Sequence, residues 1–189
     1  MKGVNHRLYV LVLLLILPIL SAKSQSKITP PPEGKAVVYF IRTAGAGAWI
    51  NFRFFDKGQF LGKFNGINFL RYECDPGKTV LWVKAENIDF IEADLKEGGI
   101  YFVETIPIPG AFSSGVRFKL VDYKDTKQMK RINHALEKKD GVNFTAEEIT
   151  ESQQEMQDVI NKSMRTLQVK RKKKKKIKYL TPEMTQPPQ

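Results

Sequence analysis

The sequence predicts a mainly β protein, an antiparallel β-sandwich of about seven or eight strands that carries a C-terminal α-helical extension. Three observations predict it. Between residues 35 and 122, short runs rich in β-branched and aromatic residues alternate with Gly, Pro, Asn and Asp turn signals, spaced about 8 to 12 residues apart. After Asp122 the apolar residues adopt helical spacing instead. Cys74 is the single cysteine of the 189 residues, so no internal disulfide exists and a hydrophobic core must hold the fold; only an intermolecular bridge stays open to that thiol.

Residues 1–24 read as a secretory signal peptide. Lys2 and Arg7 precede an apolar run over residues 8–20 that ends in small side chains. That run is shorter than the roughly 20 residues a membrane-crossing helix needs, and Pro18 interrupts its last turn. Cleavage is expected between Ser24 and Gln25, with a cut after Ala22 as the alternative. No cysteine stands near the site, which closes the lipoprotein route. The expected location is the periplasm or cell envelope, or the medium beyond it; a signal-anchored membrane protein that retains residues 1–24 is the secondary reading.

Residues 25–34 contain Pro30, Pro31 and Pro32 and form a semi-rigid linker. The sandwich domain is expected over residues 35–122. Residues 36–41 are a continuous β-branched and aromatic run, the pattern of a strand buried on both faces. Residues 44–48 are small Ala and Gly side chains with no hydrophobic periodicity and form a loop. Ile50, Phe52 and Phe54 then alternate with Asn51 and Arg53 as a half-exposed strand. Asp56, Lys57, Gly58 and the pair Asn65, Gly66 supply hairpin turns on either side of residues 59–64. Residues 67–72 follow, and Asp75, Pro76, Gly77 make the next turn. Residues 79–85 alternate again, and runs at 88–95, 100–106 and 116–121 complete about eight strands. This spacing fits a sandwich or a barrel; an immunoglobulin-like or prealbumin-like sandwich is expected.

Residues 123–169 form the helical extension. Met129, Ile132 and Leu136 share one face of a short helix ending near Asp140 and Gly141. Thr145 with Glu148 is a capping-box start, and Ile149, Met156, Val159, Ile160, Met164 and Leu167 mark a single amphipathic helix of about six turns. Its stripe has a gap at Ser152 and Gln153, which favours docking on the parent domain over a coiled coil. Residues 170–189 are expected to be a disordered basic tail.

The formal charge of +11 belongs to that tail. Lys170, Arg171, Lys172, Lys173, Lys174, Lys175, Lys176 and Lys178 carry eight basic groups, whereas residues 25–169 hold 20 Lys and Arg against 19 Asp and Glu, a net of +1. A neutral body with a dense basic end points to a salt-sensitive contact with an anionic envelope component, lipid head groups or acidic polysaccharide, without base-specific nucleic-acid recognition. A solvated charge run with no partner is the alternative.

The stretch from Gly34 to about Val121 resembles the bacterial family catalogued as domain of unknown function 2846, and more distantly the envelope modules named after a Pro-Glu-Gly-Ala motif. The residues that carry the resemblance are Gly34 through Arg42, the turn Asp56, Lys57, Gly58 with Leu61 and Gly62, then Pro76 to Thr79, and Gly98 to Phe102. It implies a small exported β-sandwich and no known activity. The chain departs from the family's frequent lipoprotein signal, and its helical, basic C-terminus lies outside the resemblance.

Chemistry-bearing motifs are sparse. Gly77, Lys78, Thr79 lacks the earlier glycine of a phosphate loop, since position 72 is Tyr72. His134 is the single histidine beyond the signal, so zinc sites and nucleophile triads lack their parts. Glu73 and Asp75 flank Cys74, and Glu92 and Asp94 share one strand face; these pairs are the candidates for acid and base chemistry on glycan or peptide, and they lack the dense loop spacing of a calcium site. Trp49, Phe55, Trp82 and Tyr101 are candidate core aromatics that would bind sugar rings or a partner if exposed. Asn143 and Asn161 stand in glycosylation sequons, which matter only in a host that glycosylates Asn. The expectation is a non-catalytic exported envelope module without cofactor or metal, binding or structural, with the basic tail on an anionic surface and the C-terminal helix open to a protein partner. The alternative is an envelope enzyme acting through surface carboxylates.

Overall fold

A computed structural model describes residues 28–109 and 115–186. The expected signal peptide and its Ser24/Gln25 cleavage site lie outside the described residues. Among the described residues nine strands and three α-helices follow in order: β1 Ala36–Arg42, β2 Phe52–Asp56, β3 Gln59–Phe64, β4 Asn68–Cys74, β5 Gly77–Lys84, β6 Ile88–Leu95, β7 Ile100–Ile108, β8 Gly115–Leu120, α1 Thr126–Lys138, α2 Ala146–Glu155, α3 Gln157–Lys172 and β9 Lys178–Leu180. The chain is therefore mainly β, with two sheets ordered β4-β1-β7-β8 and β3-β2-β5-β6-β9.

Both sheets are mixed, which corrects the all-antiparallel expectation. β1 pairs in parallel with β7, from Val37↔Ile100 to Ile41↔Glu104, and β9 pairs in parallel with β6. Of the two expected hairpins, the turn at Asp56, Lys57 and Gly58 joins the paired strands β2 and β3, whereas Asn65 and Gly66 carry the chain from β3 in one sheet to β4 in the other; β1 and β7 are joined by most of the second sheet, a long crossover with no local signature.

Side chains from both sheets meet in one core, where Phe40 of β1 lies 5.0 Å from Phe54 of β2 and 5.8 Å from Phe118 of β8. The outer faces are covered as well. Val37, Tyr39 and Ile41 of β1 turn away from that core and pack on Ile132, Ala135 and Leu136 of α1. Phe55, Trp82 and Phe90 on the outer face of the second sheet pack on Ile160 and Leu167 of α3. These two helical covers explain why every residue of β1 is buried and why β5 buries both Leu81 and Trp82. Strand alternation sends the successive Phe54 and Phe55 into opposite cores, and the bulge opposite them leaves Leu61 of β3 as the extra, unpaired residue.

The expected single long helix is two. It breaks at Met156, with φ −91° and ψ 0°, between α2 and α3. In the gap of the apolar stripe, Gln153 is a polar clamp on the β2–β3 hairpin, accepting from Phe60 N at 2.7 Å and donating to Gly58 O at 2.9 Å. Thr145 and Glu148 form the expected capping box.

The basic segment is not the disordered tail the sequence suggested. Lys170, Arg171 and Lys172 are the last turn of α3, and Lys178, Tyr179 and Leu180 are β9. Leu180 is 1% exposed and belongs to the core between the sheets. Beyond it, Gln186 N donates to Ile100 O at 2.7 Å, and Thr185 Oγ1 accepts from Ile100 N at 2.9 Å. The C-terminal segment thus straps the second sheet to the first. Leu180, with Ile177 and Met184 half-buried against the cores, and a few hydrogen bonds suffice for this, too little for a composition-based signal in a lysine-rich stretch.

Candidate functional site: a lysine turn held at both ends

The eight basic residues divide into two groups by position. Lys170 Nζ sits 5.2 Å from the centre of the Phe90 ring. Arg171 Nε donates to Glu92 Oε1 at 2.7 Å, and Lys178 Nζ donates to Asp89 Oδ2 at 2.7 Å. These three tie α3 and β9 to β6. Between them Lys172, Lys173, Lys174, Lys175 and Lys176 are exposed and form no ion pair among the described residues.

The turn is built, not frayed. Lys174 adopts a left-handed backbone, φ +49°, while Lys174 N donates to Arg171 O and Lys175 N to Lys170 O, each at 3.0 Å. That pair of bonds is the Schellman arrangement, whose left-handed position is usually glycine. A lysine there costs about 1 kcal/mol of backbone strain relative to glycine, and five adjacent ammonium groups repel one another.

The other candidates are scattered. Glu73 and Asp75 stand at the end of β4 in one sheet, and Glu92 and Asp94 on β6 in the other. Glu73 is paired with Arg71, Asp75 with Lys35 at 2.6 Å and Glu92 with Arg171. The Lys35 bond holds the Asp75 carboxyl below its ordinary range. Cys74 is buried, and burial, with the Asp56 and Asp75 carboxylates behind it, pushes its thiol up to about 12; it is a core thiol with no nucleophilic thiolate near neutral pH. Among the described residues no cluster of His, Cys, Asp or Glu is placed to hold a metal, and no helix is long and apolar enough to cross a membrane.

Of the four aromatics singled out, Phe55 and Trp82 stack at 3.8 Å under α3, and Tyr101 is buried between the sheets. Trp49 alone is exposed, at 79%. His134 is exposed on α1, beside a cleft of about 820 Å³ lined by Thr43, Tyr123, Met129, Arg131 and Glu137. Behind that cleft lies a network the sequence did not reveal. The Glu104 carboxylate, 3% exposed, accepts from Thr43 Oγ1 at 2.5 Å and Gln128 Nε2 at 2.9 Å, with Arg131 Nη2 at 3.7 Å. Its partners come from a loop and a helix far away in sequence; only a charge inside an apolar strand run hinted at it. The bonds fix α1 to β7.

No protein-family model and no curated protein matches this chain.

Proposed function

We propose that the chain is a non-catalytic, exported cell-envelope module that holds itself to an anionic surface through the lysine turn. The carrying observation is the turn's geometry: five exposed, unpaired lysines on a backbone anchored by α3 and β9, with lysine at the left-handed position. Preorganised charge loses little conformational freedom on binding. The N-terminal signal pattern supports export. Two sheets around a shared core support a β-sandwich, and the immunoglobulin-like or prealbumin-like form is part of this proposal. The resemblance to domain of unknown function 2846 belongs here too: its framework residues Gly34 to Arg42 and Gly98 to Phe102 form the β1–β7 junction, where Gly98 N donates to Lys35 O at 2.9 Å.

The enzyme alternative has less support, because its four carboxylates are divided between two sheets and three of them are ion-paired. The test compares the parent with the triple variant K172Q/K173Q/K175Q on vesicles of phosphatidylcholine and phosphatidylglycerol and on a sulfated polysaccharide column. Three lysines near an anionic surface contribute about 1 kcal/mol each, so the variant should bind about a hundredfold more weakly in low salt. Equal retention of parent and variant at every salt concentration would remove the turn's role. Intact mass of the exported protein should show a start at Gln25.

A further inference from the structure

We propose that the end of the molecule bearing Trp49, Ile67 and Ile108 docks on an anionic lipid bilayer, with Lys63, Arg53 and Lys84 meeting the head groups. Because β1 and β7 run parallel, their C-terminal ends point the same way, and β4, antiparallel to β1, starts there. Loop 43–51, turn 65–67 and the end of β7 therefore converge. Gly66 N donates to Ala48 O at 2.9 Å and joins the first two. Five large hydrophobic side chains are exposed among the described residues, and three of them, Trp49, Ile67 and Ile108, stand at this one end.

The loop that carries Trp49 is held rigid by a buried cation. Arg42 is fully buried and donates to the carbonyls of Ala44, Ala46, Gly47 and Ile50, with its guanidinium 4.5 Å from the Phe52 ring centre. No carboxylate among the described residues pairs with it. A buried guanidinium spent wholly on loop carbonyls fixes the path of an Ala/Gly stretch that would otherwise be mobile. Trp49 is consequently held out in solvent rather than left to fold back onto the core.

Just inside this end, the outer face of the second sheet carries a row of like charges. Arg53 pairs directly with Lys63 on β3 and Lys84 on β5, an arrangement that destabilises a sheet. Arg53 and Lys63 form no ion pair among the described residues. Lys84 donates to the Ala85 and Glu86 carbonyls, with the Glu86 carboxylate nearby and Lys162 of α3 adding a further positive charge. An aromatic with aliphatic neighbours, backed by cations, matches the layering of a bilayer surface: rings settle at head-group depth and cations at the phosphates. Polysaccharide or nucleic acid would use the cations and the ring but leave two isoleucines in water.

These residues are separate from the lysine turn, and the inference stands or falls without it. The experiment reads tryptophan fluorescence of the exported protein with vesicles of phosphatidylcholine alone or mixed with phosphatidylglycerol, including brominated chains. Trp82 is buried against Phe55, so changes report Trp49. A blue shift with quenching by brominated lipid is expected on the anionic vesicles only, and in K172Q/K173Q/K175Q it should reach the same end point once lipid is raised far enough to saturate the weakened binding. W49F should abolish the response, and W49A and I67S should each weaken binding about tenfold. Vesicle binding without any change in Trp49 emission would overturn the proposal, as would binding to polysaccharide or RNA with vesicles ignored.

Discussion

Removing the C-terminal strand should unfold the protein even though the basic turn is left intact. Leu180 is 1% exposed in the core shared by both sheets, and Leu→Ala at such a site costs roughly 2–5 kcal/mol; an edge strand relaxes more easily than a central one, so Leu180→Ala is set at about 3 kcal/mol. For a chain of this size about 2–4 °C of Tm is lost per kcal/mol, which places the variant about 6–12 °C below the parent. Truncation after Lys176 also deletes the bonds of Thr185 and Gln186 to Ile100, each contributing about 1 kcal/mol net. The total of about 5 kcal/mol or more reaches the lower range of whole-domain stability, so the truncated chain should be largely unfolded at 37 °C. Urea denaturation followed by circular dichroism, with K172Q/K173Q/K175Q as a surface control expected within about 0.5 kcal/mol of the parent, separates strand from charge. A Leu180→Ala midpoint within error of the control, or a truncated chain that melts with the parent, would refute the assignment of β9 to the fold.

Other outcomes follow from the same structure. Lys174→Gly should raise stability by up to about 1 kcal/mol by relieving the left-handed strain, while weakening retention on anionic supports; a loss of stability in thermal melts would contradict the turn geometry. Glu104→Ala leaves the buried Gln128 amide without its acceptor and should cost about 2–4 kcal/mol, whereas Glu104→Gln should cost less, as denaturant titrations would show. Arg42→Met strands loop carbonyls and should expose residues 43–51 to protease well before the body is cut, a difference visible by mass spectrometry of the fragments. The Cys74 thiol is raised in the folded state, so the stability it contributes is whole below its ordinary value of 9.0 and is lost as pH rises toward about 12. Tyr72, Tyr101 and Tyr123, raised chiefly by burial, steepen the same alkaline decline. Cys74→Ala should flatten part of that slope in melts between pH 8 and pH 11, and the parent thiol should resist an aromatic disulfide reagent at pH 8 until urea is added.

Local patterns were legible from residues alone. The run in β1, the alternation in β5, the hairpin turn at Asp56, Lys57 and Gly58, and the capping box at Thr145 each depend on neighbours within a few positions, where steric and hydrogen-bonding preferences act directly. Charge was legible too: the excess at residues 170–178 is a property of composition. Pairing across the chain was not. The parallel β1–β7 ladder, the placement of α1 and α3 over opposite sheet faces, and the Glu104 bonds join residues tens of positions apart, and no periodicity encodes which surfaces meet. The basic segment shows the division most clearly. Its lysines and their charge were written in the sequence, but whether they hang free or form a rigid turn depended on Leu180 finding a core made by other strands and on Arg171 and Lys178 finding carboxylates on β6.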